Sequence, residues 1–173
     1  MSDFGHRLAI ANLRDGQRIA LRADEAECAA SAHRLRLAGI ERFEAHVAIG
    51  LEGDRVTATG RLRAALRQHC VASGEPVQAS VDEAFEIVFE AEPTVRGDDE
   101  IELNANDCDV VFHDGREIPL GDSLADTLGL ALDPYPRSPG AESALKAAGV
   151  LSEEQAGPFA ALAALKREVP DGV

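Results

Sequence analysis

Tryptophan is absent, and phenylalanine and tyrosine together make up only 4% of the 173 residues. The core is therefore expected to be shallow and rich in alanine, and a row of aromatic rings for stacking single-stranded RNA is not available. Basic residues are also scarce, with 17 Lys and Arg against 31 Asp and Glu, a formal charge of -14 that repels phosphate backbones and attracts basic proteins. The cysteines number three, Cys28, Cys70 and Cys108. Their odd count and wide spacing match neither a disulfide framework nor a zinc pattern, so reduced thiols are expected. No apolar run approaches the roughly 18 residues that span a bilayer. Met1 to Arg7 lacks the apolar centre of a signal peptide, which makes the cytoplasm the expected location. His6, His33, His46, His69 and His113 are scattered, with no His-x-x-x-His pair, no Gly-x-Ser-x-Gly elbow and no glycine-rich phosphate loop. Neither a cofactor nor a metal is expected.

What the chain does contain is alternation. Phe43, Ala45, Val47, Ile49 and Leu51 keep a period of two against Arg42, Glu44, His46 and Glu52, which predicts a strand with one wet face. Gly53-Asp54 turns the chain into a second strand, with Val56, Ala58, Leu62, Ala64 and Leu66 inward and Arg55, Thr57, Thr59, Arg61, Arg63 and Arg67 outward. A further turn at Ser73-Gly74 leads to Val77, Ala79, Val81, Phe85, Ile87 and Phe89, again alternating. The three strands form an antiparallel meander. If both turns hold two residues, Arg61 lies opposite Glu86.

Before the meander, Arg7 to Ile10 and Ile19 to Leu21 flank Arg14-Asp15-Gly16, as in a hairpin. Asp24-Glu25 opens a helix with Ala26, Ala30, His33, Leu37 and Ile40 on its apolar stripe and Gly39 as its C-terminal cap. After the meander comes an acidic loop at 92–109 with one marginal strand at Ile101 to Leu103. Val110 to Phe112 and Ile118 to Leu120 then flank Asp114-Gly115 as a second hairpin. Ser123 and Asp126 fit a capping box, and Leu120, Leu124, Leu128 and Leu132 recur at helical spacing until Pro134. Asp133 to Gly140 holds three prolines and must run extended, followed by a short helix from Ala141 to Ala148. The fold class expected is α+β: a mostly antiparallel, curved or barrel-like sheet around the central meander, packed by two main helices and a short C-terminal helix. Residues 1–156 form one domain, and 157–173 a helical tail.

Several residues carry chemistry that is weighed both ways. Arg61, Arg63 and Arg67 form a basic row able to contact phosphate, or to pair across the strands with Asp82, Glu86 and Glu90. Cross-strand pairing leads. His69 beside Cys70 has the residue types of a nucleophile pair, but neighbours on a strand point to opposite faces. His33 reads as a core or boundary histidine, and Asp98 to Glu102 as a solvated loop without calcium-ligand spacing. Tyr135 either packs its segment onto the sheet or, with Pro134, Pro136 and Arg137, forms a stiff recognition edge. Packing is slightly favoured. Phe159, Leu162 and Leu165, with Lys166 beyond them, either close the core or dock in a partner.

Arg61-Leu62-Arg63-Ala64, the turn from Cys70-Val71 to Glu75-Pro76-Val77, the stretch from Ile118-Pro119-Leu120-Gly121 through Leu130-Ala131-Leu132-Asp133-Pro134-Tyr135-Pro136-Arg137, and the ending Gly157-Pro158-Phe159 through Lys166 resemble the alphaproteobacterial branch of the YceD family. The resemblance implies a bacterial protein needed for accumulation of 23S ribosomal RNA. It covers most of the chain from Arg61 onward, the earlier residues matching in layout. Some branches carry Cys-x-x-Cys at the hairpin turn, whereas here Cys70-Val71-Ala72 ends in Ser73, and one thiol cannot complete a tetrahedral metal site. The function expected is a non-enzymatic factor for large-subunit biogenesis that binds a basic ribosomal protein or assembly factor. Direct binding of ribosomal RNA through Arg61 to Arg67 is the first alternative, and a small enzyme centred on His69 and Cys70 the second.

Overall fold

The computed structural model describes residues 4–92 and 110–150. The marginal strand at Ile101 to Leu103, the tail 157–173, Cys108 and the candidates Phe159, Leu162, Leu165 and Lys166 lie outside the described residues. The expected meander is the backbone of the fold: β3 (Gly39–Glu52), β4 (Arg55–His69) and β5 (Pro76–Ala91) are long antiparallel neighbours. With β2 (Arg18–Arg22) beside β3 and β6 (Val110–His113) beside β5, they make a five-stranded sheet in the order β2-β3-β4-β5-β6. The β5 to β6 pair is parallel, so the sheet is mostly antiparallel, and no described pairing joins β2 to β6 into a barrel.

Alternation places Phe43, Val47 and Ile49 of β3, Val56, Leu62 and Leu66 of β4, and Phe85, Ile87 and Phe89 of β5 on one buried face. Two helices cover parts of it. The first, α1 (Glu25–Arg34), starts at Asp24, whose side chain accepts the Glu27 N–H at 2.8 Å while Glu27 accepts the Asp24 N–H, a reciprocal cap. Its buried face is Cys28, Ser31 and Ala32, not the stripe through Ala26 and His33, and both of those residues are exposed. Alanine on every face left the stripe ambiguous, and the small Cys28-Ser31-Ala32 side lets the helix lie close to β3. Nor does Gly39 cap it. Arg36 takes the left-handed conformation at φ 55°, with Arg36 N–H bonded to the His33 carbonyl and Leu37 N–H to the Ala32 carbonyl, so the helix ends earlier and Gly39 begins β3.

The leucine helix, α2 (Leu120–Leu130), buries Leu120, Leu124 and Leu128 completely, as the spacing predicts. The expected capping box is absent because the helix begins three residues before Ser123, directly after Pro119. Ser123 sits one turn inside and donates its hydroxyl to the Pro119 carbonyl at 3.0 Å. At the helix start, the Gly121 N–H is satisfied by the His6 carbonyl. That close approach requires glycine, since a Cβ on Gly121 would lie 1.6 Å from the Phe4 carbonyl oxygen. A short α3 (Ala141–Ala147) follows near the predicted place.

Both peripheral hairpins fail. The short β1 (Leu8–Ala9) pairs with β7 (Glu117–Ile118), whereas β2 pairs with β3. The Arg14-Asp15-Gly16 turn exists, but it docks on the end of β3, with Gly16 N–H on the Ile49 carbonyl and Asp15 accepting the Leu51 N–H. At Asp114-Gly115 the side chains take over the turn. His113 Nδ1 accepts the Gly115 N–H and Asp114 accepts those of Arg116 and Glu117, which sends β7 toward β1 rather than back along β6.

Candidate functional site

The two loops at the ends of β4 decide where its outward side chains meet their neighbours. Gly53-Asp54 is a two-residue turn with Gly53 at φ 62°, and it sets Glu52 against Arg55. The other end is longer: residues 70–75 connect β4 to β5, with Cys70 N–H on the Glu75 carbonyl and Gly74 N–H on the Cys70 carbonyl. The register consequently shifts from the expected one, so that Arg61 faces Ala84 and Arg63 faces Asp82, while Glu86 lies opposite Thr59. Arg61 hydrogen-bonds diagonally to the Asp82 carboxylate, and Arg63 reaches its other oxygen at 3.3 Å. These guanidinium groups hold the Asp82 carboxyl below its usual range, the Arg61 hydrogen bond foremost. Farther along, Arg55 pairs with Glu90 at 3.0 Å, and Arg67 with Glu41 of β3 at 3.5 Å. The basic row is thus matched by acids on both neighbouring strands.

At the long loop, two blocks distant in sequence come together. Cys70 is 3% exposed, and its sulfur accepts N–H bonds from Ser73 at 3.4 Å and Ser138 at 3.3 Å. The Ser138 N–H foremost, then the Ser73 and Ser138 hydroxyls, lower the thiol from 9.0 to about 6. The hydroxyls of Ser73 and Ser138 both reach Glu75 Oε2, at 3.2 and 3.1 Å. Val71 N–H donates to the Pro136 carbonyl at 2.9 Å, and Gln68 Nε2 to the Asp133 carbonyl at 2.8 Å. Asp133 Oδ1 in turn accepts the Tyr135 N–H. The proline segment is therefore stapled along its length to the loop and to the end of β4.

Stapling buries Pro136 and Ser138 and leaves Pro134, Tyr135 and Arg137 outside. Tyr135 is 73% exposed, and Val71, whose N–H is bonded to the Pro136 carbonyl, 54%. The slightly favoured packing role for Tyr135 is thereby overturned: the segment is anchored by backbone and small polar groups, and the ring is not needed to hold it. Sequence reasoning marks Ser73, Glu75 and Ser138 only as parts of the turn and of the proline segment, not as site residues. Their signal is slight, three small or acidic residues beside the Cys70 and Asp133 to Arg137 blocks.

His69 does not join Cys70. It is exposed, with Nδ1 3.3 Å from the Gly74 carbonyl oxygen, whereas the Cys70 sulfur faces Ser73 and Ser138. His33, exposed rather than a core or boundary residue, borders an open groove between α1 and β3 whose other polar walls include Arg22, Asp24, Glu25 and Arg42. No cluster of three or more metal-ligating side chains occurs among the described residues. No described helix is long and apolar enough to cross a membrane.

The fold and this surface define an α+β protein whose conspicuous feature is a stapled loop with an exposed tyrosine. Residues 58–166 match the family model described as large ribosomal RNA subunit accumulation protein YceD, and the chain belongs to that family. No curated protein and no solved structure matches the chain. The family's name implies a role in accumulation of large-subunit ribosomal RNA.

Proposed function

We propose that this chain is a non-enzymatic cytoplasmic factor that supports 23S ribosomal RNA accumulation by docking a basic ribosomal protein or large-subunit assembly factor on the Pro134 to Arg137 edge. The observation that carries the reading is the exposure of Tyr135 on a segment already fixed at both sides. A tyrosine held in place loses little freedom on binding and offers a large amphipathic contact. The charge of -14 favours a basic partner and speeds its approach. For ribosomal RNA to bind the strand face directly, phosphates would have to displace Asp82 from Arg61 and Arg63, and the chain's overall field opposes their approach.

The test is a tagged pull-down from cells at low and moderate salt, with nuclease treatment, on the wild type, Tyr135→Ala and an Arg61→Ala/Arg63→Ala/Arg67→Ala triple variant. A large-subunit protein should survive nuclease, persist in the triple variant and weaken by about 2 kcal/mol of binding free energy in Tyr135→Ala. Ribosomal RNA that binds the purified protein and is lost in the triple variant would overturn the proposal.

A further inference from the structure

Among the described residues, the sheet has an open margin. Along residues 76–87, β5 is hydrogen-bonded to β4 on one side and to no described strand on the other, because β6 covers only Val88 to Ala91. The phase of the ladder shows which groups face out. Cys70 N–H bonds to the Glu75 carbonyl toward β4, and Glu92 N–H bonds to the His113 carbonyl on the opposite side. Alternation between those two points aims the N–H and C=O groups of Gln78, Ser80, Asp82, Ala84 and Glu86 away from β4. All five residues are exposed.

The edge is also chemically one-sided. β5 holds Asp82, Glu83, Glu86 and Glu90 and not one Lys or Arg. Asp82 and Glu90 are met by arginines of β4, whereas Glu83 and Glu86 have no ion-pair partner among the described residues. Glu83 stands on the inward face, opposite the buried Leu62, yet is exposed. Such charges discourage pairing with a second copy, which would set Asp82, Glu83 and Glu86 against themselves. They equally disfavour the chain's own residues 93–109, which carry Asp98, Asp99, Glu100, Glu102, Asp107 and Asp109 against the single Arg96. A strand bearing the opposite charge meets no such penalty.

We propose that the free edge of β5, from Gln78 to Glu86, receives a lysine- or arginine-rich extended segment of a partner protein as an added strand. Main-chain hydrogen bonds supply the affinity, and the acidic margin supplies the selectivity. The partner's basic side chains lie on the wet face toward Asp82 and Glu86, and its alternate apolar ones lean on the half-buried Val77 and Ala79. This rests on the reading that the partner is basic, and it adds a second contact, distinct from Tyr135, with a defined geometry.

Amide-resolved hydrogen exchange on the full chain tests it, using a short synthetic peptide of alternating lysine and valine. An alternating glutamate-valine peptide and a lysine-valine peptide N-methylated at every residue are the controls, the first with reversed charge and the second without the N–H donors a ladder needs. The lysine-valine peptide should slow exchange at Gln78, Ser80, Asp82, Ala84 and Glu86 and leave Tyr135 unaffected. Ala84→Pro should abolish that protection, since its N–H faces out and the fold does not need it. Glu83→Lys/Glu86→Lys should weaken binding roughly tenfold without disturbing the Arg61-Asp82 contact. The proposal is overturned if these amides are already protected in the free chain, if the N-methylated peptide binds as tightly, or if protection appears elsewhere. Because no ribosomal component is present, failure here leaves the pull-down result standing, and the reverse also holds.

Discussion

The two loops that bracket β4 solve different problems. Gly53-Asp54 is local: one left-handed glycine with nothing within 4 Å of where its Cβ would lie, joining strands that are neighbours in sequence. The Cys70 to Glu75 loop is a junction, whose sulfur, backbone and side chains hold Pro136 and Ser138, more than sixty positions away. The first kind of loop fixes a register, and the second also positions a surface. The difference predicts that damage at the short loop stays in the sheet, whereas damage at the long loop reaches Tyr135.

The largest effect is expected at neither loop but midway between them. A Cβ at Gly60 would sit 2.0 Å from the His46 carbonyl oxygen and 2.9 Å from Phe85 Cζ, so Gly60→Ala must spread β3 from β4 and lift the ring that covers the strand. We expect a loss of about 3 kcal/mol in urea unfolding. A smaller loss would show that the sheet yields there and that the two ends of β4 are less rigidly coupled than the geometry indicates.

At the long loop, Ser138→Ala removes the hydroxyl contacts to Ser73 and Glu75 and should cost roughly 1 to 2 kcal/mol. Its particular sign is faster hydrogen exchange at Val71, whose N–H is bonded to Pro136, with the β3 to β4 amides unchanged. The Cys70 thiol gives the same junction a pH dependence. Its folded value is lowered from 9.0 to about 6, so the thiolate stabilises the folded loop. That contribution is fully present above pH 9.0 and is lost as pH falls through about 6. Ultraviolet thiolate absorbance should titrate near the lower value, and Cys70→Ser should flatten the rise in melting temperature between them. Gly53→Ala, at the short loop, should cost about 1 kcal/mol through its positive φ and leave Val71 exchange unaltered.

The same contrast explains what could be read in advance. The meander was legible because alternation and adjacent turns specify contacts between neighbours in sequence, and the leucine spacing of α2 survived for a similar reason. Pairings between distant segments were not. Nothing local in Leu8-Ala9 announces Glu117-Ile118 as its partner, and nothing at Asp114-Gly115 shows that side chains will redirect the turn. At the candidate site, family-like blocks marked both Cys70 and Pro134 to Arg137, but their contact depends on Ser138 and Glu75, ordinary residues whose role is set only by the fold. The two-residue assumption for the second turn carried the largest consequence, exchanging Glu86 for Asp82 as the partner of Arg61.

That exchange supplies the smallest effect and a sharp discrimination. Arg61 and Asp82 are both about half exposed, so their ion pair is screened and entropically costly, and Arg61→Ala should produce no resolvable change in unfolding midpoint. The pair has a function-related signature instead. With Asp82→Asn the carboxylate that occupies Arg61 and Arg63 is neutral, and both guanidinium groups become available to phosphate. Short single-stranded RNA should then bind the variant more tightly than the wild type at low salt, with the gain erased as salt rises. Equal binding by both proteins would mean that Asp82 does not hold the row closed, and that the acidic surface as a whole, rather than this one carboxylate, keeps RNA away.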